Sequence, residues 1–258
     1  MRDADLQRIR GLALFASMSP ERFADLTSSA FMQKFPAGTT LLYEGDSVDF
    51  LYALMEGSVE IQGAWNGKES TVSILSPLSL FILSSVVLEA PALVSARTVE
   101  RSEILMLSAE SVRRAMRDDH GFALAMAREL AGWHRAYLRI IKNQKLRSAA
   151  ERLANYLLVQ QVKQNGANPL TLPHEKRILA SLLGMTPENL SRAFAGLGNY
   201  GVEVNGNEVK LTMMTALTRM AKPTPFIDNQ MPPLDHLGGK AEREVWPPRE
   251  KGHGVDMG

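Results

Sequence analysis

Glu188, Ser191 and Arg192 stand at i, i+3 and i+4, so on a helix all three leave one face within about a turn. Such a set can read base edges. A guanidinium gives two parallel hydrogen bonds to guanine O6 and N7, a carboxylate accepts from cytosine N4, and a hydroxyl does either. Glu188 is also spaced to steady the Arg192 guanidinium. On a helix that merely covers a core, the same pair is a surface ion pair worth about 0.3–0.5 kcal/mol, so the surrounding residues decide between the two.

Those residues spell a helix-turn-helix. Ala180 is small where two helices meet, Gly184 suits the sharp turn, and Leu179, Leu183, Met185, Leu190 and Ala193 are spaced to face a shared interior. Thr186 can cap a helix whose first residue is Pro187. The base-reading face then lies at the helix N-terminal end, which enters a major groove. Thr186, Asn189, Lys176 and Arg177 are placed to contact or support the DNA backbone. Downstream, GVEVNGNEVKL predicts two short strands about Asn205-Gly206 with a type I′ turn, a wing. Helix, turn, helix and wing in this order make double-stranded DNA the expected partner.

The 258-residue chain has room for two domains, and its 45% hydrophobic content supports a core in each. The net charge of +1 says nothing of DNA binding, which needs local positive charge. Arg128, Arg135, Arg139, Lys142, Lys145, Arg147 and Arg152 against Glu129 and Glu151 form such a run. It reads first as the solvated face of a long helix, and second as an attraction for phosphate. The lack of cysteine excludes disulfides, thiolate zinc and cysteine-held iron–sulfur clusters. No apolar run has the length of a membrane span and no signal-peptide core follows Met1, so no membrane association and a cytoplasmic location are expected.

Positioning elements follow from periodicity. Residues 3–30 predict short amphipathic helices, and Phe31 to Leu107 predict short strands broken by glycine turns, an antiparallel barrel or roll. Ser108 caps a helix through Met116, and a longer helix runs from about Gly121 to Gln144. Along it Ala123, Ala127, Leu130, His134, Tyr137 and Ile141 alternate by four and three, the seam of a coiled coil, which predicts a homodimer unless the stripe packs on its own β domain. A hinge is expected at Asn143–Arg147, a helix over Ser148–Lys163, and disorder in the proline-rich tail beyond about residue 228. The domains are then 1–119 (helices and roll), 120–145 (dimer helix and hinge), 146–222 (winged helix-turn-helix) and 223–258 (tail).

With roll, long helix and winged helix-turn-helix in this order, the first 220 or so residues resemble the Crp–Fnr superfamily of bacterial transcription regulators. The glycines of Ala37-Gly38, Glu44-Gly45-Asp46 and Gly57 match that family's β-roll, and LLGMTPENLSRAF resembles its recognition segment. The resemblance implies an α+β fold: an N-terminal antiparallel β-roll like a cyclic-nucleotide-binding domain, a long dimerisation helix and a C-terminal winged helix-turn-helix. Glu188, Ser191 and Arg192 are similar to the E-x-x-S-R set of the Fnr-like branch, which implies a homodimer on an inverted repeat of TTGA-type half-sites. An activator of this kind would also touch RNA polymerase.

Effector chemistry departs from the best-known branches. Cyclic-AMP binders carry Gly-Glu and Arg-Ser pairs where register places Leu83-Ser84 and Ala90-Pro91. A buried phosphate needs donors or positive charge, yet Ser76 to Ser95 has only Glu89 as a charge. Neither cyclic AMP nor an iron–sulfur cluster is expected. Phe81, Leu83 and Val87 opposite Trp133, His134 and Tyr137 form an apolar lining. That lining admits a small apolar effector, a haem held by His134, or a packed core in which His134 sets helix register. Control by abundance alone, and a helix-turn-helix that grips protein in place of DNA, are the alternatives. Residues 1–119 contain no histidine for a cupin-type metal site, and nucleophile-elbow, P-loop and zinc spacings are absent, so no enzyme is expected.

Overall fold

The computed structural model describes residues 3–228; of the tail expected over 223–258, residues 225–228 form a helix, a correction to the expected disorder, and those from 229 lie outside the described residues. Helices α1 (Asp3–Arg10) and α2 (Pro20–Thr27) precede a roll of eight strands: β1 (Phe31–Phe35), β2 (Thr40–Leu42), β3 (Phe50–Glu56), β4 (Val59–Trp65), β5 (Lys68–Leu75), β6 (Ser79–Phe81), β7 (Ser95–Thr98) and β8 (Ser102–Ser108). Helix α3 (Leu83–Leu88) is inserted after β6. The strands form two antiparallel sheets, ordered β1-β8-β3-β6 and β2-β7-β4-β5. Tyr52, Leu54 and Ile104 from the first sheet share a buried cluster with Leu42, Val59, Ile61, Leu75 and Ala96 from the second. Strand alternation sends Leu51, Ala53, Leu105 and Leu107 to the opposite face, against the helices.

Turn chemistry fixes the roll. Gly57 has φ +88°, and a Cβ there would lie 2.6 Å from the Arg101 carbonyl, so no side chain fits. Between β4 and β5, Trp65 pairs with Lys68, leaving Asn66 (φ 49°) and Gly67 (φ 74°) as the left-handed pair of a type I′ turn.

Helix α4 (Ala109–Asp118) follows the roll, and the 27-residue α5 (His120–Leu146) is capped by Asp119, whose carboxylate accepts from the Phe122 N–H at 2.8 Å. Phe122, Ala125 and Met126 bury one face of α5 in the roll's helical core. Arg147 ends α5 in an extended conformation (φ −118°). Ser148 and Glu151 then form a reciprocal capping box on α6 (Ala149–Lys163).

The C-terminal unit comprises β9 (Leu170–Thr171), α7 (Lys176–Leu182), α8 (Pro187–Leu197), β10 (Val202–Asn205), β11 (Glu208–Leu211), α9 (Met214–Ala221) and α10 (Pro225–Asp228). Its core joins Leu153 and Leu157 of α6 to Leu179, Leu190, Leu197, Val209 and Leu217. The hairpin forms where predicted but its turn differs. Asn205 pairs with Glu208, so Gly206 and Asn207 make the turn, and of these only Gly206 has positive φ. That is the II′ pattern rather than I′. Strand register explains it: Val202 opposite Leu211 and Val204 opposite Val209 group the apolar residues, which moves the turn one residue on.

The basic run is not uniformly a solvated face. Arg147 and Arg152 turn inward, Arg152 donating to the carbonyls of Leu183 (2.7 Å), Gly184 (3.3 Å) and Arg147 (2.7 Å). Carbonyls at a helix end and at the sharp turn have no intrahelical donor, and a guanidinium satisfies several at once.

Candidate nucleic-acid interface

Helix α8 begins as its residues require. Thr186 Oγ1 accepts from the Asn189 N–H at 3.3 Å, and Pro187 occupies the first turn. Leu190, Ala193, Phe194 and Leu197 are buried. Helical geometry then sends Glu188, Ser191 and Arg192 to the opposite face, where all three are exposed. Gly184 takes φ +62° at the bend between α7 and α8, and a Cβ there would come within 3.2 Å of Gln144.

The polar face is ordered from within. Arg192 donates through Nη2 to the Asn189 carboxamide oxygen. Asn189, three residues earlier, thus holds the guanidinium by hydrogen bond, the task assigned from sequence to Glu188. The Glu188 carboxyl is instead held below its usual range, first by hydrogen bonds from the Thr186 hydroxyl and from its own N–H, and last by the charge of Arg192. It is therefore an ionised acceptor at neutral pH. Ser191 donates to the Pro187 carbonyl at 3.1 Å, which leaves its oxygen lone pairs outward.

Lys176 and Arg177 are exposed on the first turn of α7. Arg177 lines a cleft of about 320 Å³ between this unit and the β4–β5 hairpin, together with Gln62, Glu69, Ser181 and Pro187. Across the cleft edge the Thr71 N–H donates to Ser181 Oγ at 2.6 Å, and the Ser70 and Ser181 hydroxyls lie 3.1 Å apart. This hairpin contact has no signature in the sequence, because the partners lie 110 residues apart and neither belongs to a motif.

The seam residues separate into two groups. Ala127, His134, Tyr137 and Ile141 are exposed, whereas Ala123 and Leu130 are half-buried and Leu130 packs on the roll's core. The apolar residues that α5 leaves outside include Leu124 (44% exposed), Leu138 (46%) and Ile141 (52%). Trp133 packs on the core between the two sheets and stacks on Tyr137 at 5.8 Å.

Of the expected effector residues, Phe81 belongs to the core between the sheets, Leu83 to the helical core, with Val87 packed beside it. His134 faces outward. Arg113 reaches the end of α3, pairing with Glu89 at 3.4 Å and donating to the Val86 carbonyl at 3.3 Å. Sequence reasoning also missed Glu129, read as one of the charges of a basic run. It is 0% exposed, neither carboxylate oxygen has a hydrogen-bond partner among the described residues, and burial pushes its carboxyl up to about 7.

Known proteins bear on both halves. A family profile described as "Cyclic nucleotide-binding domain" matches residues 32–119, and one described as "Crp-like helix-turn-helix domain" matches residues 151–220. The "Cyclic AMP receptor protein" of Thermus thermophilus is 32% identical over 201 residues, 75% of this chain and 89% of that protein. A "CRP-like cAMP-activated global transcriptional regulator" of Mycobacterium tuberculosis is 25% identical, over 81% of this chain and 96% of that protein. Among solved structures, FixK2 of Bradyrhizobium japonicum superposes with a TM-score of 0.64 at 21% identity, covering 76% of this chain and 98% of that one, which shows the shared fold. No helix among the described residues is long and apolar enough to cross a membrane. Matched by both profiles, and by a 32% identical relative over 75% of its length, this chain belongs to the Crp–Fnr family of DNA-binding transcription regulators.

Proposed function

We propose that two copies of this chain, joined along the outer stripe of α5, read an inverted repeat of TTGA-type half-sites with Glu188, Ser191 and Arg192 of each α8. What carries this is the pairing of two exposed surfaces: a polar, pre-ordered face on α8 and an apolar stripe through Leu124, Leu138 and Ile141 on a helix otherwise built into the fold. An unpartnered apolar stripe of this kind is covered most simply by its own copy. The two recognition helices then meet successive major grooves about 34–36 Å apart. Thr186 and Asn189 support the base readers and Lys176 and Arg177 add charge near the phosphates. Residues 1–119 serve as the sensor, 120–145 as dimer helix and hinge, and 146–222 as the DNA-binding unit. Such a protein works in the cytoplasm and, as an activator, beside RNA polymerase.

His134, outward beside Ala127 and Ile141, sets seam register in this reading. Beside α3, Arg113 is engaged by Glu89 and the Val86 carbonyl, which argues against a cyclic-nucleotide phosphate there. An apolar effector at the roll, or control by abundance, fits that chemistry better. The test is mass in solution and binding to one half-site against two. A dimer that holds the inverted repeat far more tightly than a lone half-site is expected; a monomer indifferent to the second half-site overturns the proposal.

A further inference from the structure

After α9 the chain turns back to the hinge. Lys222 takes a left-handed conformation (φ 48°), and α10 then lies against α5 with the Phe226 ring 5.9 Å from the Lys142 ammonium. Asp228 closes α10 on itself, accepting from the Thr224 N–H at 2.7 Å. Its carboxylate also receives both arms of Arg147, Nη1 to Oδ1 at 2.5 Å and Nη2 to Oδ2 at 2.7 Å. The side chains are only 7% and 16% exposed. The same guanidinium donates to the Asn143 carboxamide on the last turn of α5 (3.2 Å) and to the Lys222 carbonyl (3.3 Å).

Arg147 is the hinge residue between α5 and α6, so its side chain is where the dimer helix, the hinge and the end of the winged unit converge. A bidentate guanidinium–carboxylate pair fixes angle as well as distance, and sheltered from water it resists exchange in a way that a surface pair does not. The far end of the strap is anchored too: Asn155 of α6 donates to the Ala221 carbonyl at 2.6 Å and Lys222 pairs with Glu151 at 3.4 Å. Residues 223–228 lie beyond both family-matched segments, the later of which ends at 220.

We propose that residues 222–228 are a clamp on the hinge, with Arg147 and Asp228 as positioning residues that set the angle between α5 and the winged unit. That the angle matters for DNA rests on the dimer reading above, because it sets the separation of the two recognition helices. Without the clamp the fold survives, but the winged unit samples a range of angles and half-site spacing is read less sharply.

The cysteine-free chain allows spin labels at Glu110→Cys on α4, beside the roll, and Asn207→Cys at the wing tip, diluted into unlabelled protein so that distances within one chain are read. A narrow distance distribution is expected for the parent, broadened by Asp228→Ala and by termination after Lys222. Asp228→Asn, which keeps the shape of the side chain, should broaden it to a lesser degree and serves if the other variants unfold. On DNA, affinity for the best-spaced inverted repeat should fall about tenfold, with a smaller penalty for one added base pair. Distributions as narrow in the variants as in the parent overturn the clamp, whatever the DNA result. A parent indifferent to spacing overturns the dimer reading instead, and the distances still judge the clamp.

Discussion

The face of α8 lies in the C-terminal unit and the segment about α3 in the roll, and the two are built in opposite ways. On α8 the polar side chains stand in solvent and are arranged by their neighbours, Asn189 holding Arg192 and Thr186 holding Glu188. At the cassette, Phe81 and Leu83 are sunk in two cores and the nearby cation is engaged by Glu89. A base-reading face needs polar groups that stand in solvent with donors or lone pairs to spare, whereas a packed apolar segment presents none.

The comparison breaks first at the dimer. Leu138→Asp places a charge in the middle of the outer stripe of α5, and should abolish the dimer and lose at least about 3 kcal/mol of operator affinity, read by sedimentation and titration; an unchanged mass removes α5 as the interface.

Next comes Glu129, the buried charge that neither region uses. Burial pushes its folded carboxyl up to about 7, so between the ordinary carboxylate range and that value the folded chain holds a proton that the unfolded chain has released. That contribution is fully present below the unfolded value and is lost as pH rises through about 7. Glu129→Gln or Glu129→Met should raise stability at pH 8 by about 1–3 kcal/mol and flatten the pH dependence, as denaturant melts at pH 5.5 and 8 would show. A loss of stability at both pH values would mean that the carboxylate has a partner.

Thr186→Ala removes the cap and the donor to Glu188. It should cost about 1 kcal/mol, seen in melting, with weaker DNA binding but the same preferred sequence. The smallest effect is expected from cyclic AMP, which should leave DNA affinity and melting temperature where they were. A clear upward shift in melting would place a phosphate in the cassette and undo the contrast between the two regions.

What could be read in advance was local. Thr186-Pro187, Gly184 and the spacing of Leu190 and Ala193 lie within one short stretch, and together they specify the start, bend and buried face of α8. Asn66-Gly67 and Asn205-Gly206 are the same dipeptide, yet only the first forms the I′ turn, because the pairing of Val202 and Val204 set the second. Contacts without periodicity were illegible: Ser181 on Thr71 across 110 residues and Arg147 on Asp228 across 81. Glu129 was misread since a charge in a basic run carries no mark of the core that its helix turns it toward.

The central claim is that Arg192 reads a base, and selection of binding sites from randomised duplexes with the parent and with Arg192→Ala tests it most directly. The parent should enrich an inverted repeat with one strongly fixed G·C pair in each half-site, and the variant should lose preference at that pair alone, by about 1–3 kcal/mol per half-site, while retaining salt-sensitive non-specific binding. Identical sequence preferences from the two proteins would contradict it.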